Sequence, residues 1–365
     1  MRVGIGAVVG ITGGPATYAR ELVAALARAG GHEYVVFTDR PDAFAQVDVE
    51  TTLVPLRRLA HQVTWDHVRI PGLVRRHGVR LYHGTKAILP WRLAVPGVVT
   101  VHDLAVYALP ETFAAAQRWH FRAFVPRSAR RAARVIADSE HARRDLLQRF
   151  GLVPQRVRVV PLGVRREMLV PPAAIDVRAF RERHGLGERL IACVGTIQPR
   201  KRVERVIEAF ARARGAEEGW QLVIAGRRRP GYVPGWLSAP PPGVRALGAV
   251  DDADLPLVYA SAEVAISASD YEGFGLTVCE AMAAGCAVIA VAATSIPEVV
   301  GEAGLLVDRS DATALAAALR PLLGDASLRR RLGDEARRRA ARFTWDETAR
   351  LTRAVYEEVG DEVGA

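Results

Sequence analysis

Short apolar stretches alternate with amphipathic stretches along the first half of the chain. A helix is expected at residues 16–29, where apolar positions recur with helical spacing before Gly30 and Gly31 end the pattern. The apolar runs predict strands at residues 2–9, 34–37, 81–83, 98–101, 134–137 and 157–160. Strands that alternate with helices predict a parallel, doubly wound sheet.

The same alternation begins again after a stretch, 164–188, that contains Pro171 and Pro172 and has no regular pattern. Strands are expected at 190–194, 222–225, 244–247, 264–267 and 287–291, and helices at 203–214, 277–284 and 345–359. We therefore expect an α/β protein with a first domain at 1–166, a linker at 167–188, a second domain at 189–343 and a C-terminal helical segment at 344–365. Two α/β halves in tandem would bind a ligand in the cleft between them, near the carboxyl ends of the strands.

Composition narrows the class of protein. Half of the 365 residues are hydrophobic and a quarter are charged, which is typical of a globular enzyme rather than a disordered chain. No apolar run approaches the roughly 20 residues of a membrane-spanning helix, and the chain starts in a strand-like segment without a leader pattern. Cys193, Cys279 and Cys286 form no C-x-x-C pair, so buried, reduced thiols in a cytoplasmic protein are expected.

The positive charge is concentrated in the first half of the chain. Residues 1–166 hold 25 Lys and Arg against 12 Asp and Glu, although the net charge of the whole chain is only +10. Such a surface suits nucleic acid, anionic lipid or phosphorylated substrates. An arginine-rich proteome that uses Arg where others use Lys explains the excess equally well.

The segment SASDYEGFGLTVCEAMAAG, residues 267–285, carries two glutamates separated by seven residues. Its glycines place Glu272 in a loop that leaves a strand, and Glu280 in the first turns of the next helix. The amides of the loop then lie at a helix N-terminus, which favours an anion. Carboxylates that accept hydroxyl protons beside amides that hold phosphoryl oxygens suit a sugar nucleotide.

A second segment, VGTIQPRKRVERVIEAF at 194–210, places Arg200, Lys201 and Arg202 where a helix begins. Cations at a helix N-terminus oppose the helix dipole, so they cost stability unless an anion offsets them. A diphosphate leaving group is a natural partner, because neutralising its developing charge speeds its departure. A solvated basic turn is the alternative explanation.

Two motifs of the first half are less specific. Gly13 and Gly14 follow the first strand and let the backbone approach a ligand, but they fit neither a dinucleotide-binding fingerprint nor a P-loop. His102 and Asp103 end a buried strand, where the histidine could bond a substrate hydroxyl or transfer a proton. A structural histidine bonded to the backbone is the alternative, and His61, His67 and His83 are expected to be structural.

Residues 117–134, QRWHFRAFVPRSARRAAR, interleave Trp119, Phe121 and Phe124 with arginines. A basic amphipathic helix of this kind can lie on an anionic membrane. Pro126 interrupts the pattern, so aromatic side chains that face the core are the alternative.

Taken together, these segments resemble the retaining glycosyltransferases of family four over nearly the whole chain. The two-glutamate segment continuing into AVIAVAATSIPEVVGEAGLLVD at 287–308 carries most of the resemblance, and the segments at 244–264 and 137–146 also fit. GTIQPRK, HDL and LPETF resemble the branch that contains bacterial mannosyltransferases of polysaccharide assembly. The resemblance implies the GT-B architecture: two facing Rossmann-like domains, the first for acceptor and the second for donor, with a C-terminal helix that crosses back onto the first.

The resemblance also implies roles for residues. Glu272 would bind hydroxyls of the donor sugar, Glu280 the ribose, and Lys201 the diphosphate. The remaining positions expected to contact the donor are Gly13, Gly14, Thr196, Gly248, Val250, Phe274, Gly275 and Leu276. His102 would lie by the transferred sugar, with Asp103 on the acceptor side.

One position departs from the family pattern. Thr196 stands where much of the family has an arginine, and we expect Arg200 to take over that role. Arg200 and Lys201 would then stabilise the leaving diphosphate without a metal or other cofactor. GDP-mannose is the favoured donor, with a UDP-sugar as the alternative, and the acceptor would be a saccharide or a lipid-linked molecule.

The expected activity is retaining transfer of a hexose, in the cytoplasm or at the inner face of an anionic membrane, without nucleic acid as a partner. Two other classes of function are alternatives. A non-catalytic basic module would bind nucleic acid or membrane with a steep dependence on salt. A sugar-nucleotide hydrolase or epimerase would share the fold and differ in its products.

Overall fold

A computed structural model describes residues 1–8, 13–54 and 65–364. The chain divides into two compact units: Met1–Gly163 together with Trp345–Ala365, and Val164–Thr344. His61 and the end of the expected first strand lie outside the described residues. No helix in the described part is both long and apolar enough to cross a membrane.

The first unit is built on a parallel sheet whose described strands run in the order β3-β2-β1-β4-β5-β6-β7. The strands are β1 (Arg2–Ala7), β2 (Glu33–Thr38), β3 (Glu50–Leu53), β4 (Leu81–Gly84), β5 (Gly97–Val101), β6 (Arg134–Ala137) and β7 (Val157–Val159). The helices are α1 (Gly14–Ala29), α2 (Ile70–Arg76), α3 (Ala105–Ala108), α4 (Ala115–Arg131) and α5 (Glu140–Phe150). Ile5 at the centre of β1 pairs with Val36 of β2 and with His83 of β4.

The second unit repeats this plan with strands in the order β10-β9-β8-β11-β12-β13, all parallel. The strands are β8 (Arg189–Val194), β9 (Trp220–Ala225), β10 (Val244–Gly248), β11 (Val264–Ser267), β12 (Ala287–Val291) and β13 (Leu305–Val307). The helices are α6 (Arg166–Leu169), α7 (Ala174–His184), α8 (Val203–Arg212), α9 (Leu255–Ala260), α10 (Leu276–Ala284), α11 (Ile296–Val300), α12 (Ala312–Gly324) and α13 (Ala326–Ala340).

Burial explains why these segments form these elements. Every residue of β12 is buried, as a central parallel strand covered on both faces requires. Helix α8 buries Val203, Val206 and Phe210 on one face, the spacing of an amphipathic helix that lies on a sheet. Because all strands of each sheet are parallel, their carboxyl ends meet at one edge, and the loops that leave β8, β11 and β12 share that edge. The prediction of two parallel α/β halves is confirmed.

The final helix, α14 (Trp345–Gly364), belongs to the first unit, as the expected crossing back of the C-terminal helix requires. Trp345 is buried there, with its ring 6.1 Å from that of Tyr18. The Tyr356 hydroxyl lies 2.7 Å from Nδ1 of the fully buried His83, whose Nε2 lies 2.8 Å from the Thr100 hydroxyl. His83 is therefore structural, as expected: it bonds α14 to the sheet.

The expectation that residues 164–188 lack regular structure is wrong. The stretch contains α6 and α7, because Phe180 anchors α7 in a small apolar cluster and Gly185, at φ 60°, ends that helix. Strands β3 and β13 were also not expected. Both lie at sheet edges, where β3 is largely exposed and β13 is half-buried, so neither carries a continuous apolar run.

Candidate active site

Two basic residues and one glutamate form a compact ion cluster in the second unit. Lys201 Nζ lies 2.5 Å from Glu272 Oε1, and Arg200 Nη1 lies 3.4 Å from Glu272 Oε2. Arg200 also donates a hydrogen bond of 2.5 Å to the carbonyl of Tyr271. The loop after β8 supplies the cations and the loop after β11 supplies the carboxylate, so residues 71 and 72 positions apart meet at the carboxyl edge of the sheet.

The Glu272 carboxylate is buried but ionised. Only 7% of the residue is exposed. Burial by itself raises the pKa of Glu272, but the charges of Lys201 and then Arg200 outweigh it and lower the pKa to about 2. The cluster therefore holds an ionised carboxylate, an acceptor for hydroxyl groups rather than a proton donor, beside Lys201 and Arg200.

The third cation of the basic turn has its own partner. Arg202, which immediately precedes α8, has a left-handed backbone with φ 48° and donates a hydrogen bond from Nε to Oδ2 of Asp270. Asp270 in turn donates its amide to the carbonyl of Arg200, at 2.9 Å. The three cations were expected to need an offsetting anion, and side chains of the loop after β11 provide part of that offset within the chain.

The loop between Glu272 and α10 ends in a glycine that needs its conformational freedom. Gly275 lies at φ 98° immediately before α10, and a Cβ there would lie 2.5 Å from the side chain of Ile296. Phe274 is buried against Phe343, with ring centroids 5.4 Å apart. This packing fixes the loop, so that the amides of Phe274, Gly275 and Leu276 lie at the helix N-terminus, the arrangement that binds anions.

Glu280 lies in α10 and is 4% exposed. Its carboxylate is 4.0 Å from Nε of Arg165, and Arg165 Nη1 donates a 3.1 Å hydrogen bond to the carbonyl of Asp252. Sequence analysis missed Arg165, because it lies in the stretch 164–188, where no regular pattern was recognised. Glu280 therefore has a basic neighbour, Arg165, that is distinct from the two cations beside Glu272.

The loop after β12 supplies two further residues that sequence analysis did not identify. Thr294 Oγ1 accepts a hydrogen bond from the Glu272 amide at 2.9 Å and donates one to the Glu272 carbonyl at 2.7 Å. Ser295 Oγ, fully buried, donates a second hydrogen bond to that carbonyl at 2.9 Å. The signal was present in the family-like segment 287–308, where short hydroxyl residues follow a buried strand.

The other expected donor positions of the second unit lie in loops at the same edge of the sheet. Thr196 is half-buried in the loop after β8. Gly248 ends β10 at φ 71°, and Val250 packs beside the small cluster around Phe180. Close packing of these loops requires a glycine at 226, because a Cβ there would lie 1.9 Å from the carbonyl oxygen of residue 195.

In the first unit, His102 uses both of its ring nitrogens. Nδ1 lies 2.8 Å from the Asp138 carboxylate, and Nε2 lies 3.0 Å from the carbonyl of Thr85. A carbonyl only accepts, so Nε2 carries a proton. Burial lowers the pKa of His102, but the charge and hydrogen bond of Asp138, the charge of Asp103 and the bond to Thr85 together outweigh burial and raise the pKa. This geometry matches the structural alternative, in which the backbone satisfies the histidine.

The remaining expected residues of the first unit lie at helix starts. Asp103 accepts a 3.0 Å hydrogen bond from the Ala105 amide, which begins α3. Gly13, at φ 96°, precedes α1, and Gly14 is its first residue. Both glycines are exposed and have open space where a Cβ would stand. Nowhere in the described ranges do three or more His, Cys, Asp or Glu side chains group as metal ligands would.

Comparison with family models matches both units. A model described as glycosyl transferases group 1 matches residues 176–339, and one described as Glycosyltransferase Family 4 matches residues 12–167. The first range lies in the second unit and includes the Lys201–Glu272 cluster. The second range includes His102.

Individual relatives agree with these matches. O-antigen chain mannosyltransferase B of Escherichia coli is 29% identical over 295 residues, 76% of this chain and 74% of that protein. The MMP alpha-(1->4)-mannosyltransferase of Mycolicibacterium hassiacum is 33% identical over 299 residues, 77% of this chain and 70% of that protein. Anabaena HepE, solved in complex with UDP and glucose, shares the fold with a TM-score of 0.78 at 18% identity, covering 98% of this chain and all of that one.

Proposed function

Because this chain belongs to the family-4 glycosyltransferases, in a branch similar to bacterial mannosyltransferases, we propose that it transfers mannose from a nucleoside diphosphate sugar, GDP-mannose by preference, to an acceptor hydroxyl. The observation that carries the proposal is the cluster of Lys201, Arg200 and Glu272 beside the N-terminus of α10. It combines cations and amides for phosphate with a permanently ionised carboxylate for sugar hydroxyls.

The cations would act on the leaving group. As the bond between the sugar C1 and the diphosphate breaks, negative charge grows on the phosphate oxygens, and Lys201 and Arg200 would stabilise it without a metal. Removal of one such preorganised donor typically costs about 10²–10³ in turnover. Arg200 thereby takes the role of the family arginine that is absent at Thr196.

The glutamates would bind and orient the donor. Glu272 would accept hydrogen bonds from sugar hydroxyls, and Glu280 from the ribose. The amides of Phe274, Gly275 and Leu276 would hold the sugar and diphosphate. Thr196, Gly248 and Val250 complete the donor contacts proposed for the second unit, with the last two near the base.

The residues of the first unit have supporting roles in this proposal. Gly13 and Gly14 leave space for a phosphate to approach the start of α1, and Asp103 would lie on the acceptor side. His102 would lie by the transferred sugar, with its ring held by the Asp138 carboxylate and the Thr85 carbonyl. It would not act as a base.

We propose that the transfer retains the anomeric configuration. The acceptor oxygen would attack C1 on the face that the diphosphate leaves, and the departing phosphate oxygen would take the acceptor proton. Glu272 is then a positioning carboxylate and no side chain is needed as a general base, which agrees with its low pKa of about 2.

We propose that the enzyme is cytoplasmic and meets its acceptor at the surface of an anionic membrane. Trp119 on α4 and Trp91 are 67% and 52% exposed, and both lie against Phe124, at 6.0 and 5.4 Å between ring centroids. His67 stacks on Trp91 at 4.5 Å. Exposed tryptophan beside the exposed arginines of α4 fits the headgroup region of an anionic bilayer, where a lipid-linked acceptor would lie.

Two measurements test the membrane contact. Wild type should sediment with vesicles that contain phosphatidylglycerol, and replacement of both Trp119 and Trp91 by serine should weaken this at least tenfold. Equal binding of the double variant, or none by wild type, would contradict the contact while leaving sugar transfer untouched.

The central experiment is calorimetric titration with GDP, UDP, dTDP and ADP in EDTA, on wild type, Lys201→Ala and the control Arg212→Ala. Arg212 forms an exposed pair with Glu208, 2.7 Å apart in the same unit. We expect micromolar binding of GDP that survives EDTA, persists in Arg212→Ala and is lost in Lys201→Ala. Failure of every nucleotide to bind wild type would refute the proposed function.

If GDP binds, NMR of the product formed from GDP-mannose tests whether the anomeric configuration is retained.

A further inference from the structure

Thr294, in the loop after β12, has an uncommon backbone conformation for its residue type. Its φ is 53°, in the left-handed region that β-branched residues rarely adopt. Such a conformation costs energy and persists only where the surrounding structure holds it. Residues with strained backbone conformations cluster at functional sites. The contacts of Thr294 therefore indicate which part of the site its conformation serves.

The hydroxyl of Thr294 contacts the backbone of one residue, Glu272, on both sides. It accepts from the Glu272 amide at 2.9 Å and donates to the Glu272 carbonyl at 2.7 Å, and Ser295 donates to the same carbonyl at 2.9 Å. Side chains thus satisfy both backbone groups of Glu272, a task that a neighbouring strand usually performs. The position of the Glu272 backbone therefore depends on the loop after β12.

A second residue with a left-handed backbone contacts the segment 270–272. Arg202, at φ 48°, bonds the Asp270 carboxylate, and the Asp270 amide donates to the carbonyl of Arg200. Of the non-glycine residues with positive φ in the described chain, Arg202 and Thr294 both hold residues 270–272. Two strained residues in different loops thus hold the same segment. This indicates that the position of residues 270–272 is maintained at a cost in stability to both loops.

Fixing the backbone of Glu272 has a reason in the chemistry proposed above. Without substrate, Lys201 anchors the Glu272 carboxylate at 2.5 Å. Once a diphosphate binds, the ammonium of Lys201 is shared between phosphate and carboxylate, and that anchor weakens. The hydrogen bonds from Thr294 and Ser295 reach the main chain and do not compete with the ligand.

We propose that Thr294, assisted by Ser295, is a positioning residue: it holds the Glu272 backbone so that the carboxylate stays directed at the donor sugar while Lys201 turns to the diphosphate. This inference rests on the proposed function, because it assigns Glu272 to the sugar. It adds that the loop after β12 sets the contribution of the sugar to donor affinity, whereas the cations set that of the nucleotide.

The test compares GDP with GDP-mannose, and UDP with UDP-glucose, in calorimetric titrations of three variants. Thr294→Val keeps the shape and removes the hydroxyl, whereas Thr294→Ser keeps the hydroxyl and relaxes the backbone. Thr348→Val makes the same change at a threonine that is 1% exposed and donates to the Pro161 carbonyl at 2.8 Å in the first unit.

We expect Thr294→Val to weaken binding of the sugar nucleotide at least tenfold and to leave binding of the free nucleotide within twofold of wild type. Thr294→Ser and Thr348→Val should retain the full difference between the two ligands. Equal losses for nucleotide and sugar nucleotide, or equal losses in Thr294→Val and Thr294→Ser, would overturn the inference.

A measurement without ligand separates this inference from the proposed function. Hydrogen exchange at the Glu272 amide should rise at least tenfold in Thr294→Val and stay unchanged in Thr348→Val, because only the former loses the acceptor of that amide. Unchanged exchange would overturn the proposed hold on Glu272. Faster exchange in a protein that binds no nucleotide would confirm that hold and refute the proposed function alone.

Discussion

Removing the charge of Lys201 tests the ion cluster through stability as well as through binding. Lys201→Met keeps most of the side-chain volume and removes one of the two cations beside the buried Glu272, while Arg200 stays 3.4 Å away. When one partner of a buried ion pair is removed, the charge of the other stays buried without compensation, which destabilises the folded protein. The variant should therefore unfold more easily even where no ligand is present.

The magnitude follows from the pKa of Glu272. The folded protein lowers it from 4.5 to about 2, and one pKa unit corresponds to about 1.4 kcal/mol. The cluster thus contributes about 3 kcal/mol at neutral pH, in line with the roughly 3–5 kcal/mol lost when one partner of a buried pair is removed. Because the folded pKa is depressed, this stabilisation is complete above pH 4.5 and disappears as the pH falls towards 2.

Scanning calorimetry at pH 7 and at pH 3 measures the effect in Lys201→Met, Glu272→Gln and the double variant. For a unit of this size, about 3 kcal/mol lowers the midpoint by roughly 6–12 °C. The sum of the two single losses should exceed the loss in the double variant by about 0.5–3 kcal/mol, the coupling energy of groups in contact. Arg212→Met, which breaks the exposed pair with Glu208, should cost only about 0.3–0.5 kcal/mol.

Two results would refute this reasoning. If the losses of Lys201→Met and Glu272→Gln add in the double variant within 0.5 kcal/mol, the ion pair contributes nothing beyond its separate residues. If the loss in Lys201→Met is as large at pH 3 as at pH 7, the ionised carboxylate is not its cause.

Three further predictions concern the frame around the site. Burial lowers the pKa of His83 from 6.5 to about 3, so wild type should lose about 1.4 kcal/mol per pH unit below pH 6.5, and His83→Gln should show a flatter pH profile of thermal unfolding. Gly226→Ala, with φ 154° and a Cβ 1.9 Å from a carbonyl oxygen, should yield little folded protein by circular dichroism, whereas Gly324→Ala, with open space, should fold normally. Trp345→Ala should destabilise the first unit by about 3–5 kcal/mol in chemical denaturation, and the exposed Trp119→Ala by less than about 0.5 kcal/mol.

The candidate site shows what a linear pattern can reveal. Two local patterns pointed to Glu272, Arg200 and Lys201. Glycines follow Glu272 just before a helix, and the two cations lie at a helix start, where they oppose the helix dipole. Their contact across 71 positions of chain could be expected only because parallel strands bring their carboxyl ends to one edge. Arg165 gave no such signal, since a single arginine has no local pattern that separates it from its neighbours. Thr294 lies in the family-like segment 287–308, but nothing in that segment marks its hydroxyl as a contact of Glu272.

The periodicity of apolar residues determined the two parallel α/β units and the strands with continuous buried runs, because a central strand that is buried on both faces needs an unbroken apolar run. The return of the final helix to the first unit was implied only by the family resemblance. Edge strands β3 and β13 and helix α7 escaped the apolar pattern, since an element that is only partly covered needs no apolar run. The tertiary structure alone decided which charges meet. It paired Arg202 with Asp270, turned His102 towards Asp138 and the Thr85 carbonyl, and placed Thr294 against the backbone of Glu272. These contacts join loops far apart in the chain, and their geometry depends on how the strands between them pack.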